Sequence, residues 1–326
     1  MIDELSALRR IEERFHKASK DVELGIGDDA AAVRFDSDKL VLSTTDSQVE
    51  DVHFTKSLIT PSELARKAVA VSVSDIGAMG GVAKFILASV GFSKGEDEEF
   101  LEELISGFID SQQEFGVKII GGNLSSSNKL FIDITVLGDV EPELIVKRST
   151  ASPGDLIYAT GTLGDSALGF KILQDGPIDR GNHLVNRHLR PMPRLELGRG
   201  LALEQIATSM IDISDGLLLD LERITVQQGK GAKIELAKLP ISKEYAKIIG
   251  EFSENTYELA LSGGEDYELL FTSHEDRAVD IQEISKNLNI GITEIGCITK
   301  DRCIEVLNAD GESLSLQNRG FVHFKN

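Results

Sequence analysis

The sequence predicts an α+β protein built from two domains. Three observations carry this expectation. A chain of 326 residues with 41% hydrophobic content is longer than one average domain and apolar enough for more than one core. Strand-like and helix-like patterns are mixed along it, without a strict alternation of βαβ units. The patterning lapses across "EPELIVKRSTASPGD" (141–155), where Pro142, Pro153 and Gly154 gather. The division is placed there, giving domains 1–147 and 148–326.

The elements follow in order. "GIGDDAAAV" (25–33) sets Asp28 and Asp29 behind a glycine turn and before an apolar run. "KLVLSTTD" (39–46) reads as a strand that ends in polar residues at Asp46. A helix is predicted from Pro61, because Thr60 suits the N-cap, Pro61 the first turn, and Glu63 completes a capping box. Its apolar positions Leu64, Ala68 and Val71 keep helical spacing, and it runs on towards Asp75 and Gly80-Gly81. A second helix carries Phe100, Leu101, Leu104, Ile105, Phe108 and Ile109 on one face and stops at Gly116. "FIDITVLGDV" alternates like a strand. Beyond the division, "DLIYATG" and "YELLFTS" read as strands. "GLLLDLERITVQQG", with Leu217, Leu221 and Ile224, and "VDIQEISKNLNIG", with Ile281, Ile284 and Leu288, read as helices.

Charge narrows the partners. With 54 acidic against 34 basic residues, the net charge is −20. Nucleic acid is an improbable partner, because phosphate contacts need a basic surface. A nucleotide substrate remains open if divalent cations screen its phosphates. "MIDELSALRR" lacks an apolar signal core and no apolar run approaches the length of a membrane span, so a soluble cytoplasmic chain with no membrane partner is expected. Cys297 and Cys303 have neither disulfide-framework nor zinc spacing and are read as small buried hydrophobes.

The common phosphate-binding signatures are absent. "QQGKGAK" lacks the Walker spacing, and no kinase catalytic loop or D-F-G occurs. "GTLGDSALG" (161–169) fits an ordinary strand-to-helix turn better than a phosphate cradle. What recurs is aspartate where apolar segments meet turns: Asp28 and Asp29, Asp46, Asp75, and the pair Asp212 and Asp215. Carboxylates held on separate rigid elements suit several magnesium ions, which prefer oxygen ligands and share them with substrate phosphate. Capping is the competing explanation, and Asp215 before "GLLLDL" suits an N-cap. Capping does not account for Asp212, which follows Met210-Ile211.

"GIGDDAAAV", "STTDSQVEDVHF", "SVSDIGAMGG", "KRSTASPGD", "HLRPMPRLELG", "IDISDGLLLDL" and "LSGGEDYELLFT" stand in the order seen in thiamine-monophosphate kinases. The chain resembles that family over nearly its whole length, to "GFVHF". The resemblance implies a two-domain aminoimidazole ribonucleotide synthetase-like α+β fold. It implies N-terminal domains paired in a homodimer with ATP near that interface, and phosphorylation of thiamine monophosphate to thiamine diphosphate. Carried over by motif, Asp29, Thr44, Thr45, Asp46, Asp75, Asp212 and Asp215 match magnesium ligands, with Asp75 and Asp212 central to catalysis. Gly121, Gly122, Arg148 and Ser214 match ATP contacts. His53, Glu265 and Phe321 match acceptor contacts, the last two beside a cationic ring. The chain departs from the family at Asn123, where an aspartate ligand is frequent. Selenophosphate synthetases and hydrogenase maturation proteins of the same superfamily are disfavoured by the missing cysteines. A non-catalytic nucleotide sensor is disfavoured by the retained aspartates.

Overall fold

The computed structural model describes residues 22–24, 28–34, 38–314 and 320–321. The glycine turn Gly25–Gly27 expected before Asp28 lies outside them.

Six strands make the first sheet: β1 (Val22–Leu24), β2 (Ala31–Arg34), β3 (Leu40–Val49), β4 (Val82–Phe92), β5 (Lys118–Ser126) and β6 (Phe131–Val140). Their order is β1-β2-β3-β6-β4-β5, antiparallel except for the parallel pair β4–β5. β6 alternates as its sequence does, with Ile132, Ile134 and Val136 fully buried beneath helix α1 (Pro61–Ala78). α1 opens as expected. Thr60 accepts from the Glu63 amide at 3.2 Å, and the Glu63 carboxylate accepts from the Thr60 amide at 3.0 Å. Helix α2 (Glu98–Phe115) lies against α1 and ends at Gly116 in the left-handed region, φ 68°.

The second sheet holds β7 (Leu156–Thr160), β8 (Ser209–Asp212), β9 (Gly231–Glu235), β10 (Leu269–Ser273), β11 (Ile292–Thr299) and β12 (Ile304–Leu307), ordered β12-β9-β11-β7-β10-β8. Helices α3 (Asp165–Asp175), α4 (His183–Leu189), α5 (Leu195–Leu203), α6 (Leu217–Ile224), α7 (Lys243–Ile248), α8 (Glu258–Ser262) and α9 (Ala278–Leu288) connect its strands. α1 is the hub between the two sheets, packed on β3 and β6 and also on α5 and β8. Gly77 meets Gly198 at the α1–α5 crossing, where a Cβ on Gly198 would stand 2.1 Å from the Gly77 carbonyl oxygen. That close approach brings the C-terminal turns of α1 to the end of β8.

Several expectations need correcting. β3 does not end at Asp46. It continues to Val49 because β6 offers ladder partners as far as Phe131, and pairing sets strand length over the local polar run. Asp75 lies inside α1, not at its end. Asp215 does not cap α6. Gly216 takes the N-cap position without a side-chain bond, and Asp220, inside the helix, accepts from the amides of Ser214, Asp215 and Gly216 at 3.0–3.1 Å. Cys297 is only half-buried and Cys303 is exposed, in the turn before β12. No described helix is long and apolar enough to cross a membrane.

Candidate active site

Three aspartates far apart in sequence converge where the halves of the chain meet. One carboxylate oxygen from each of Asp29, Asp75 and Asp212 lies within 4.8 Å of the others. Adjacent residues of α1 reach in two directions. Asp75 accepts from the Thr44 hydroxyl on β3 at 2.5 Å, and the Ser74 hydroxyl donates to Asp212 at the end of β8 at 2.5 Å. Both carboxylates are thereby oriented before any ligand arrives.

The electrostatics are those of a site short of positive charge. Burial first, then the charges of Asp46, Asp212 and Asp29, push the Asp75 carboxyl well above its ordinary range. Burial and Asp29 do the same to Asp212. Asp46 is raised to about 6 by burial, against a hydrogen bond from Ser72, and Asp28 to about 6 by burial and Asp29. The cation among them is Arg148. Its Nε donates to Asp29 Oδ2 at 2.7 Å, a second guanidinium nitrogen grips the other Asp29 oxygen, and its amide donates to Asp28 at 3.2 Å. Burial alone would lower the guanidinium pKa, but Asp29 and Asp28 outweigh it and keep the group charged. One guanidinium against Asp28, Asp29, Asp46, Asp75 and Asp212 leaves an excess of buried negative charge. An all-oxygen donor set with that excess fits a hard divalent cation.

The other expected residues divide. Asp46 shares the α1-facing side of β3 with Thr44, and its carboxyl feels Asp29. Thr45 points to the exposed side, where its hydroxyl meets Thr135 at 3.3 Å, so it does not join the group. Asp215 is paired with Arg223 at 2.5 Å, and its charge still bears on Asp46. Gly121, Gly122 and Asn123 lie on β5, exposed at the sheet edge. Asp46 pairs with Ile134, Ile134 with Ala88, and Ala88 with Gly122. Three inter-strand spacings, about 14 Å, therefore separate the Asp46 row from Gly122 and its neighbour Asn123 within one chain.

Of the residues matched to the acceptor by motif, the His53 ring accepts from the Val49 amide at 3.0 Å, and its charge bears on Glu265. The Ser214 carbonyl accepts from the Glu265 amide at 2.7 Å, and the Asp215 carbonyl from the Phe321 amide at 2.9 Å. Phe321 is 45% exposed, a ring open to solvent beside this loop.

Residues 27–140 match the model of the AIR synthase related protein N-terminal domain, and residues 152–307 that of its C-terminal domain. Over 325 residues the chain is 37% identical to the thiamine-monophosphate kinase of Escherichia coli (strain K12), covering 98% of each chain. The chain belongs to the thiamine-monophosphate kinase family. It is also 34% identical to the Bacillus subtilis (strain 168) thiamine-monophosphate kinase over 334 residues, 99% of this chain and 100% of that one. Among solved structures, AaThiL complexed with AMPPCP and TMP superposes with a TM-score of 0.85 at 31% identity, over 98% of this chain and 97% of that one.

Within this thiamine-monophosphate kinase framework, several site residues are not visible from motifs. Lys67 on α1 is fully buried, and its ammonium lies 3.1 and 3.2 Å from the two Glu265 oxygens. His188 Nε2 is 3.4 Å from the same ammonium, and His188 Nδ1 is 3.2 Å from Glu265. Burial, then Lys67, lowers the His188 pKa to about 3, so the ring is neutral at pH 7. Glu265 is therefore not a lone carboxylate awaiting a cation. It is the counter-charge of a buried lysine, with a side chain 28% exposed on its other side. The only sequence signal for Lys67 was its place seven residues before Ser74, on the same face of one helix.

The "GTLGDSALG" turn proves structural. The Gly164 and Ser166 amides at the start of α3 donate to the Asp266 carboxylate at 2.7 and 3.4 Å, which occupies the place a phosphate would need.

Proposed function

We infer that this chain transfers the terminal phosphoryl group of ATP to thiamine monophosphate, giving thiamine diphosphate and ADP. The observation that carries the reading is the convergent Asp29–Asp75–Asp212 group, presented by both halves of a chain that matches thiamine-monophosphate kinases over 98% of its length. The acceptor is a phosphate oxygen. Its second pKa is about 6, so it is ionised at neutral pH and asks for no strong base. Repulsion is the obstacle, since two polyanions must meet beside a group of carboxylates.

Asp29, Asp46, Asp75 and Asp212 would hold magnesium, with Thr44 and Ser74 fixing two of the carboxylates. Several bound magnesium ions would supply the positive charge that screens and bridges the two phosphates. Arg148, paired to Asp29, would turn to an ATP phosphate once Asp29 is otherwise neutralised. Ser214 would face ATP. His53, Glu265 and Phe321 would line the acceptor, with the open Phe321 ring offering a face to the thiazolium cation.

A homodimer goes with this reading. Val82, Phe85, Leu87, Ile120 and Leu124 are 40–67% exposed on β4 and β5, and β5 is the edge strand. An apolar edge of that kind calls for cover. A second copy there would bring Gly121, Gly122 and Asn123 to an interface, where ATP could use them. The domain division near residue 147 and a cytoplasmic setting, where ATP is the donor, belong to the same reading. Purified protein given ATP, magnesium and thiamine monophosphate is expected to make ADP and thiamine diphosphate in equal amounts. ADP without thiamine diphosphate would overturn it. Light scattering is expected to give twice the chain mass.

A further inference from the structure

Lys67 is a fully buried lysine on α1. A buried ammonium persists only where acceptors surround it. Three are in place. Its Nζ lies 3.1 Å from Glu265 Oε1, 3.2 Å from Glu265 Oε2 and 3.4 Å from His188 Nε2 on α4. An ammonium only donates, so His188 Nε2 presents its lone pair and the ring proton sits on Nδ1. That proton faces Ser166 Oγ and Glu265 Oε2, each 3.2 Å away. Phe170 stacks on the same ring at 4.8 Å and fixes its plane.

Glu265 is held at its backbone as well. It takes φ 65°, a left-handed conformation costly for a residue with a side chain, and its amide donates to the Ser214 carbonyl at 2.7 Å. Main chain and carboxylate are thus fixed before a ligand arrives. Each carboxylate oxygen has two lone pairs. Oε2 meets both Lys67 and His188 and is filled, whereas Oε1 meets Lys67 alone and keeps one lone pair. The Glu265 side chain is 28% exposed and that of Lys67 1%, so a ligand reaches the carboxylate and not the ammonium.

We propose that Lys67 is a positioning residue for the acceptor: it holds Glu265 as a charge-compensated hydrogen-bond acceptor, whose Oε1 reads the exocyclic amino group of the acceptor's pyrimidine. The inference rests on the kinase reading above, in which Glu265 lines the acceptor. Charge decides which part of the acceptor Glu265 meets. A lone carboxylate would draw the thiazolium cation. Here any cation that nears Glu265 also nears an ammonium 3.1 Å from it, and attraction and repulsion largely cancel. A hydrogen bond is short-ranged and directional, so it survives that compensation. Thiamine monophosphate carries one N–H donor group at neutral pH, the amino group of its pyrimidine. An oxygen held rigid in this way favours that group over a carbonyl, which would set lone pair against lone pair.

The test compares thiamine monophosphate with its 4-oxo analogue, oxythiamine monophosphate. The analogue replaces the amino group by a carbonyl and keeps the thiazolium and the phosphate. Affinities are measured by calorimetry with magnesium and AMPPCP present, for wild type, Lys67→Met and Lys67→Met/Glu265→Gln. The readout is the ratio of the two affinities within one protein, because any loss of folded protein cancels from it. Wild type is expected to favour thiamine monophosphate by about 10- to 100-fold, the range of a hydrogen bond to a charged group. Lys67→Met should bring the ratio to within roughly threefold, since a carboxyl freed of its ammonium turns, or takes up a proton and donates to the carbonyl. The double variant should do the same without leaving a lone buried charge, because an amide offers either a donor or an acceptor. A wild-type ratio within roughly threefold, or the wild-type ratio kept by either variant, would overturn the proposal. Failure of the kinase reading looks different: wild type makes no thiamine diphosphate from ATP, while the affinity ratio still decides the role of Lys67. Absence of binding by either acceptor would overturn both.

Discussion

Asp212→Asn should separate the cost of the acidic site from its use. The substitution keeps the volume and the acceptor for Ser74 but deletes one buried charge. Asp212 lies within 4.8 Å of Asp29 and Asp75 oxygens, and two unit charges at that distance repel by about 3 kcal/mol at an effective dielectric near 20. Arg148 attracts Asp212 and offsets part of this, so a net relief of roughly 1–2 kcal/mol is the reasonable size. Without divalent ions the variant is expected to melt a few degrees above wild type, at about 2 °C per kcal/mol for a chain of this length. Magnesium should reverse the order. Ions at 100 times their dissociation constant add about 2.7 kcal/mol to a protein that binds them only when folded. Wild type should gain that term and the variant should lose most of it, along with at least a thousandfold in turnover. Differential scanning fluorimetry with EDTA and with magnesium, beside steady-state rates, reads all three quantities. Equal stabilisation of both proteins by magnesium, or turnover within tenfold of wild type, would refute the metal role.

Glu265→Gln should lower the melting temperature as well as the affinity for thiamine monophosphate, because it strips a fully buried lysine of its counter-charge. Breaking a buried pair costs about 3–5 kcal/mol, reduced here to roughly 1–3 by the 28% exposure of the glutamate; an unchanged melting temperature would show that Lys67 has another partner. Burial holds the Asp266 carboxyl up at about 8 despite the Gly164 and Ser166 amides. A raised carboxyl stabilises most below its unfolded pKa near 4, and that stability drains away as pH rises to about 8. Urea midpoints of wild type should therefore fall relative to Asp266→Asn between pH 5 and pH 8, and parallel midpoints would contradict the assignment. Asn123→Asp should lower the magnesium concentration for half-maximal rate, since a carboxylate holds the ion better than an amide oxygen. An unchanged titration would exclude position 123 from ion binding, as its distance from the Asp46 row already does for a shared ion within one chain.

Local rules carried the helix ends. The Thr60–Glu63 capping box and the left-handed Gly116 are decided within four residues, and both stand where the sequence puts them. Asp212 was recognisable because no cap explains it. What failed depends on partners far along the chain. The length of β3 is set by β6, about 90 residues later, so Asp46 looked terminal when it is central. Asp215 suits an N-cap by sequence, but the turn is closed by Asp220, which accepts from the Ser214, Asp215 and Gly216 amides while Gly216 takes the cap position, and only the folded turn shows this. Lys67 and Glu265 are 198 residues apart, and their pairing follows from which face of α1 meets the second half of the chain. Thr45 sits beside Thr44 in sequence but on the opposite side of the pleat, a distinction of one residue that motif matching ignores.

The central claim is that the carboxylate group directs a terminal phosphoryl from ATP onto thiamine monophosphate. Its most direct test follows label from γ-labelled ATP in the presence of magnesium, with wild type and Asp212→Asn side by side. Wild type should carry the label into the terminal phosphate of thiamine diphosphate, one for each ADP formed, and the variant should carry none above background. Label released as inorganic phosphate by wild type, or transferred equally well by Asp212→Asn, would contradict the account.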